Sequence, residues 1–457
     1  MPDGTRPPAL PPKVDLVKQP LGILQTLRKA RENLIEIIPE IATKQPIITG
    51  KTGIIRWHMV MDPEANRRIL KEKLDIYPKS DVTKNILRPA IGDSLFIAEG
   101  AHWRWQRRAA APVFSHRNIA ALAPIMSASA QAVCDRLERC DGQADVFHEM
   151  VRATFEVISD VTFSGTGSMD SSGVHKAIDA YIDQTARVSL FDVLGVPTWV
   201  PRWSRIFGPN SLGNMKAIAD ESINARRASG PKPVPDLLDL LLEGSDPETG
   251  RQMNSAELRD NLLTFIVAGH ETTALTLSWA LYLCAFDPQV QDKLRAEARS
   301  VLQGRIATGE DAARMPYCTQ VIKETLRLYP PAAFLSRTAQ ADDTLCGRDV
   351  RRKDTVMLPV YALHRNELLW EEPDAFRPDR FGPDASHDRY SWLPFGDGPR
   401  ICIGSHFAMV EATIILSTLI SRFRFERIEG RDPKPVLVVT LRPEGGVPLR
   451  ISAAPQS

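Results

Sequence analysis

One of the chain's six cysteines lies in an unusual run, Phe395-Gly396-Asp397-Gly398-Pro399-Arg400-Ile401-Cys402-Ile403-Gly404. Glycines at 396, 398 and 404 let the backbone fold tightly around one sulfur, and a helical pattern begins directly after it. A cysteine at a helix start is favoured as thiolate, because free N–H groups and the macrodipole stabilise negative charge. Arg400, two residues earlier, adds positive charge. Several fates are open to such a sulfur. A plain buried cysteine accounts for neither the glycines nor the arginine. A cysteine–histidine nucleophile would draw on His406 at i+4, whose side chain would lie along the helix instead of over a cleft. Zinc needs three or four ligands, and no second cysteine or close histidine set is offered. The remaining reading is a single thiolate on haem iron, which pushes electron density toward oxygen.

Other segments carry polar groups at telling places. Ala268-Gly269-His270-Glu271-Thr272-Thr273 interrupts an apolar stretch, Glu324-Thr325-Leu326-Arg327 places opposite charges at i,i+3, and Gly100–Arg108 interleaves aromatic with basic residues. Trp103 and Arg107, at i,i+4, share one helix face.

These groups need elements to hold them. The longest helical signal starts at Asn254 or Ser255, with Glu257 in the first turn, and Pro288 stops it. At 1.5 Å per residue it spans roughly 48 Å, and it is apolar on almost every face from Leu262 to Phe286. His270 and Glu271 fall at its midpoint, where a bilayer would penalise an ionised Glu by ~2.5 kcal/mol or more, so burial in a protein core is expected. A last helix is expected from Gly404 to Phe423, then a β-type tail in which Val436–Leu441 pairs with Val447–Ile451. Breaks fall near Ser164–Gly173, Pro197–Gly213 and Ala228–Pro235. The expected architecture is mainly α with a smaller β-rich part: a flexible Pro-rich arm over 1–20 and a single domain over 21–457.

Lys and Arg total 57 against 56 Asp and Glu, a net charge of +1 that argues against nucleic acid as a partner. The amino terminus lacks a secretory pattern, no early run of about 20 apolar residues offers a membrane anchor, and the cysteines show no C-x-x-C pair. A cytoplasmic protein is expected.

Phe395-x-x-Gly398-x-Arg400-x-Cys402-x-Gly404 resembles the haem-binding signature of the cytochrome P450 family, and further segments in the right order extend the resemblance over nearly the whole chain beyond the arm. It implies a haem-thiolate monooxygenase on that family's single-domain fold, with haem b as cofactor and Cys402 as the iron ligand. Ala268–Thr273 is similar to the family's oxygen-activation motif. There Ala268 and Gly269 would lie against the haem, Gly269 loosening the helix, while Thr272 offers a hydroxyl on the oxygen side and Glu271 links it to a proton supply. Trp103, Arg107 and Arg400 would hold the haem propionates, with Arg337 as a further candidate. Glu324, Arg327 and Arg380, the last in a Pro-rich loop, would form a structural network. Phe334, Leu335, Val267 and Ala268 would wall the substrate pocket. His270 has no assigned role.

No C-x-x-C-H occurs, so the haem would be held without thioether links. Only about 55 residues follow Cys402, so electrons would arrive from a separate ferredoxin-type or flavodoxin-type donor with its reductase, to a protein expected to be monomeric. Arg104 and Arg108 are candidates for docking that donor. The substrate would be small and apolar, a fatty acid or terpenoid, hydroxylated or epoxidised with O2. A peroxide-driven peroxygenase and a non-enzymatic haem gas sensor stand as alternatives.

Overall fold

The computed structural model describes residues 10–163 and 211–455, apart from Pro20, Ile54 and Val438. The expected break at Ser164–Gly173, and most of that at 197–213, lie outside these residues. The break at 228–235 separates the helices Ser211–Ser229 and Leu237–Glu243.

Six helices position the site: α1 (Gly100–Ala110), α2 (His116–Glu138), α3 (Val146–Phe163), α4 (Ser255–Phe286), α5 (Pro316–Leu328) and α6 (Ser405–Arg422). Helix α4 is the long one the sequence predicts. Its Asn254 side chain accepts from Glu257 N at 3.0 Å, Glu257 returns the bond to Asn254 N at 3.0 Å, and Pro288 opens the next helix. Between Leu262 and Ala285 only Val267, Ala268, Gly269 and Thr272 are less than fully buried. An otherwise enclosed helix therefore opens at one place, and that place is its polar midpoint. Helices α3 and α6 pack on α4, and α2 and α5 complete the bundle.

The strands are β1 (Ile47–Thr52), β2 (Ile55–Val60), β3 (Gln143–Asp145), β4 (Leu335–Thr338), β5 (Asp343–Leu345), β6 (Arg348–Val350), β7 (Thr355–Leu358), β8 (Phe423–Arg427), β9 (Lys434–Leu437), β10 (Leu441–Glu444) and β11 (Pro448–Ala453). The largest sheet runs β1-β2-β7-β4, parallel only between β2 and β7. It joins chain from both sides of the bundle, as expected.

Two expectations on the β part and the arm need correction. Val447–Ile451 does not pair with Val436–Leu441: β9 pairs with β10, while β11 lies between β3 and β8. Turn residues 445 and 446, both glycine at positive φ, redirect the chain to a strand 300 residues earlier, which local pattern cannot reveal. Residues 10–19 are also not a loose arm. Val14 is buried and its N–H donates to the Tyr361 hydroxyl at 3.0 Å, while the Tyr329 hydroxyl donates to Pro12 O at 2.7 Å. A Pro-rich segment ties few donors into itself, so its carbonyls remain free for such contacts.

Candidate functional site

The loop carrying Cys402 is shaped by close approach. Gly398 has φ 71°, and an added Cβ there would sit 2.2 Å from the Leu70 carbonyl oxygen, so no other residue fits. Gly396 is also left-handed at φ 66°. Gly404, by contrast, has φ −90° and an open surround, so its place does not demand glycine. Cys402 N–H donates to Phe395 O at 2.9 Å, closing the loop, and α6 begins three residues later. His406 turns away to His116, 2.7 Å between ring nitrogens, and no nucleophilic pair forms with the cysteine.

The sulfur opens into a cavity of about 1120 Å³ that is also lined by Ala268, Gly269 and Thr272 of α4. This volume exceeds the ~300–1,000 Å³ of most single-ligand pockets, room for a macrocycle and a substrate together. Burial pushes the Cys402 thiol up, and outweighs the Gly404 N–H and the charges of Arg107 and Lys79 that favour the anion. The thiolate expected from the helix start is thus not secured by the protein alone; a coordinated metal deprotonates a thiol outright.

Beside the sulfur the cavity is strongly cationic. Lys79, Arg107, Arg337 and Arg400 all line it, together with Trp103. Arg400 stacks 4.3 Å over the Trp103 ring, donates to Ala98 O at 2.9 Å and pairs with Glu99. Arg337 is buried, and desolvation plus Arg400 lower it to about 10. Desolvation and the two arginines likewise hold Lys79 well below its ordinary value. The Nε atoms of Arg337 and Arg400 are buried with no hydrogen-bond partner, and Arg107 has no ion pair among the described residues. Among the described residues, Arg400 alone of these four cations makes an ion pair, with Glu99. Leaving such donors unmatched is costly, and a ligand with two carboxylates next to a flat apolar body would match them. The residues fit haem.

Across the cavity, Thr272 donates its hydroxyl to Ala268 O at 2.8 Å. Glu271 does not join it. Its Oε1 accepts from Thr440 at 2.8 Å and from Arg442, in and beside β10. Neighbours on a helix lie ~100° apart, so the acid and the threonine face different surroundings. The loosening of the helix expected at Gly269 is not seen. Helix α4 is unbroken α-helix at this point, and a Cβ on Gly269 would crowd Ile158 of α3 at 3.3 Å, so helix packing already calls for a small residue. Phe334 and Leu335 line the cavity, whereas Val267 is not among the lining residues. His270 points at α3, with Nδ1 3.0 Å from Ile266 O and its ring edge-on to Phe155.

On the cysteine side, Arg327 grips both oxygens of Glu324 at 2.7 and 2.8 Å and three carbonyls, of His364, Pro373 and Ala375. Arg380 reaches Glu324 at 3.3 Å. His364 carries this network to the cysteine loop, accepting from Leu393 N at 2.8 Å. Of the two surface arginines considered for donor docking, Arg108 is occupied by buried Asp246 in a two-pronged bond at 2.6 and 2.8 Å, whereas exposed Arg104 has a long ion pair with exposed Asp75 at 3.9 Å.

Sequence reading missed Lys79, Glu99, Thr440, Arg442 and Glu411. The first four sit in segments without a motif. Glu411 lies nine residues after Cys402 on α6, fully buried, with Oε1 unpartnered; burial pushes it up to about 8, partly offset by the Thr273 hydroxyl. An acid inside an otherwise apolar helix was the available signal.

A cysteine sulfur and the one open stretch of an otherwise buried helix, facing one cationic slot, define a haem-thiolate protein. The chain belongs to the cytochrome P450 family, whose model ("Cytochrome P450") matches residues 12–447. It is 32% identical to cyclooctatin synthase of Streptomyces melanosporofaciens over 82% of each chain, and 30% identical to cyclooctat-9-en-7-ol 5-monooxygenase of the same organism over 93% of this chain and 90% of that one. It is 31% identical to cytochrome P450 4A12 of Rattus norvegicus over 86% and 80%. The crystal structure of the cytochrome P450DA heme domain superposes with a TM-score of 0.83 at 26% identity, covering 98% of both chains. The protein is accordingly an oxygen-incorporating oxidoreductase with haem as its cofactor. None of its described helices is long and apolar enough to cross a membrane.

Proposed function

We propose that this enzyme hydroxylates or epoxidises a small apolar substrate of fatty-acid or terpenoid type, taking electrons from a separate ferredoxin-type or flavodoxin-type donor. The observation that carries the reading is that Cys402 and Thr272 border one cavity, with apolar walls between them and the protein surface. Two relatives are named for cyclooctatin synthesis and for 5-monooxygenation of cyclooctat-9-en-7-ol, which supports a small, largely hydrocarbon substrate.

Haem bound there supplies the iron at which dioxygen is reduced. Cys402 would supply the thiolate ligand, and Trp103, Arg107, Arg337, Arg400 and Lys79 would hold the two propionates by charge-assisted hydrogen bonds. Thr272 would hold a hydroxyl in the same cavity and relay a proton that Glu271 replenishes. Phe334, Leu335 and Ala268 exclude water and orient the substrate. Glu324, Arg327 and Arg380 hold the cysteine loop in place. Arg104 contributes to the face that meets the donor.

The reduced protein under carbon monoxide should show the red-shifted band of a thiolate-ligated haem, and Cys402→His should abolish it. With a surrogate ferredoxin and reductase, dioxygen should yield product, and Thr272→Ala should divert electrons from product. Faster turnover with peroxide alone than with the electron chain would assign a peroxygenase instead, and no turnover at all a haem sensor.

A further inference from the structure

The hairpin formed by β9 and β10 is fixed at its base and held differently at its tip. Asn33 donates to Pro435 O at 3.0 Å and accepts from Leu437 N at 3.0 Å. Leu441 N donates to Pro331 O at 3.0 Å, and Trp279 Nε1 of α4 donates to Leu441 O at 3.4 Å. The paired residues Leu437 and Leu441 close the hairpin, so the residues between them form its tip. On one side of this hairpin Leu437 and Val439 line the cavity, and Val439 is exposed. On the other side Thr440 and Arg442 bind Oε1 of Glu271. One short element thus touches the space a substrate occupies and the carboxyl assigned to proton supply.

We propose that Thr440 and Arg442 are positioning residues that hold Glu271 away from Thr272 until an occupant of the cavity displaces the tip. The inference rests on the monooxygenase reading of Glu271. While two donors hold Oε1, the carboxyl is aimed at the hairpin, and the Thr272 hydroxyl turns to Ala268 O. An occupant bearing on Val439 shifts Thr440 with it, weakens the clasp on Oε1 and lets the carboxyl swing along α4 toward Thr272. The freed carboxylate then takes a proton from solvent and gives it to the Thr272 oxygen while Thr272 passes its own proton into the cavity, which leaves Glu271 a carboxylate again. The arrangement ties proton delivery to the presence of a substrate, and the cavity contact and the carboxyl contact lie within six residues of chain.

The test uses the haem-loaded protein with clotrimazole, a bulky azole that binds the iron and fills the space above it. Amide hydrogen exchange over residues 434–444 should become about tenfold faster when clotrimazole binds, the change expected for loss of one charge-assisted hydrogen bond. In Glu271→Gln and Arg442→Met the same segment should exchange fast without the azole and no longer respond, while Arg442→Lys restores the response. Val439→Ala should keep the slow exchange of the free protein but blunt the response. In parallel, electron consumption by the substrate-free protein with ferredoxin and reductase should rise severalfold in Arg442→Met, return toward wild type in Arg442→Lys, and fall in Glu271→Gln. If Glu271→Gln lowers electron consumption but the hairpin ignores the azole and Arg442→Met behaves as wild type, the clasp is wrong and the monooxygenase reading stands. If Glu271→Gln leaves electron consumption unchanged, the role of Glu271 itself fails, and the clasp with it.

Discussion

The molecule buries two charged clusters, and they are built on opposite principles. Around Glu324 every charge is matched: Arg327 makes five hydrogen bonds to Glu324 and three carbonyls, and Arg380 adds a further ion pair. Around the cavity, only Arg400 among Lys79, Arg107, Arg337 and Arg400 has an ion-pair partner among the described residues, Glu99, and two guanidinium nitrogens stand unpartnered. A matched buried cluster fixes a fold. An unmatched one facing a cavity marks where an anionic ligand completes the protein.

The largest test of this contrast is Arg327→Met. It leaves Glu324 buried without its main partner and should destabilise the holoprotein by ~3–5 kcal/mol, read from denaturant unfolding. A loss well below 1 kcal/mol would mean that the matched cluster is not structural.

Glu411 belongs to neither cluster. Its carboxyl sits at about 8 in the folded protein against an ordinary 4.5. Between those values the folded state keeps a proton that the unfolded state has released, so stability falls as pH rises through this window. Relative to Glu411→Gln, the wild type should lose on the order of 4 kcal/mol from pH 5 to 8. Parallel pH profiles for the two proteins would show that Glu411 is solvated.

Arg337→Leu should act with opposite signs in the two forms. Without haem it removes an unpartnered buried cation and leaves stability unchanged or raised. With haem it removes a propionate partner worth ~1.5–3 kcal/mol, so haem should transfer to apomyoglobin at least about tenfold faster. Equal destabilisation of both forms would move Arg337 to the structural class. Lys79→Met should show the same pattern more weakly, a loss of about 1 kcal/mol of haem binding, since an ammonium offers a point charge instead of a planar fork.

Much of this was legible in the sequence where spacing along one element carries the information. The capped start of α4 at Asn254, its stop at Pro288, the loop around Cys402, and Trp103 with Arg107 on one face of α1 all follow from local rules. The four-way meeting of Glu324, Arg327, Arg380 and the cysteine loop was readable only through family resemblance, because its members are 56 residues apart. Lys79 and Glu99 could not be read, since a lone lysine in a loop and an acid before a helix are ordinary surface features. Glu271 and Thr272 are adjacent in sequence, which suggested a joint task. The helix rotation between them sends the acid to a hairpin some 170 residues away.

By itself the sequence determined the helices, the sulfur in its glycine loop, and the chemistry that sulfur invites, since local propensity and fixed spacing act over a few residues. Only the tertiary structure decided which charges find partners and which are left facing the cavity. Burial and hydrogen bonding depend on what the folded chain brings close in space, and the segments supplying those neighbours are hundreds of residues apart along it.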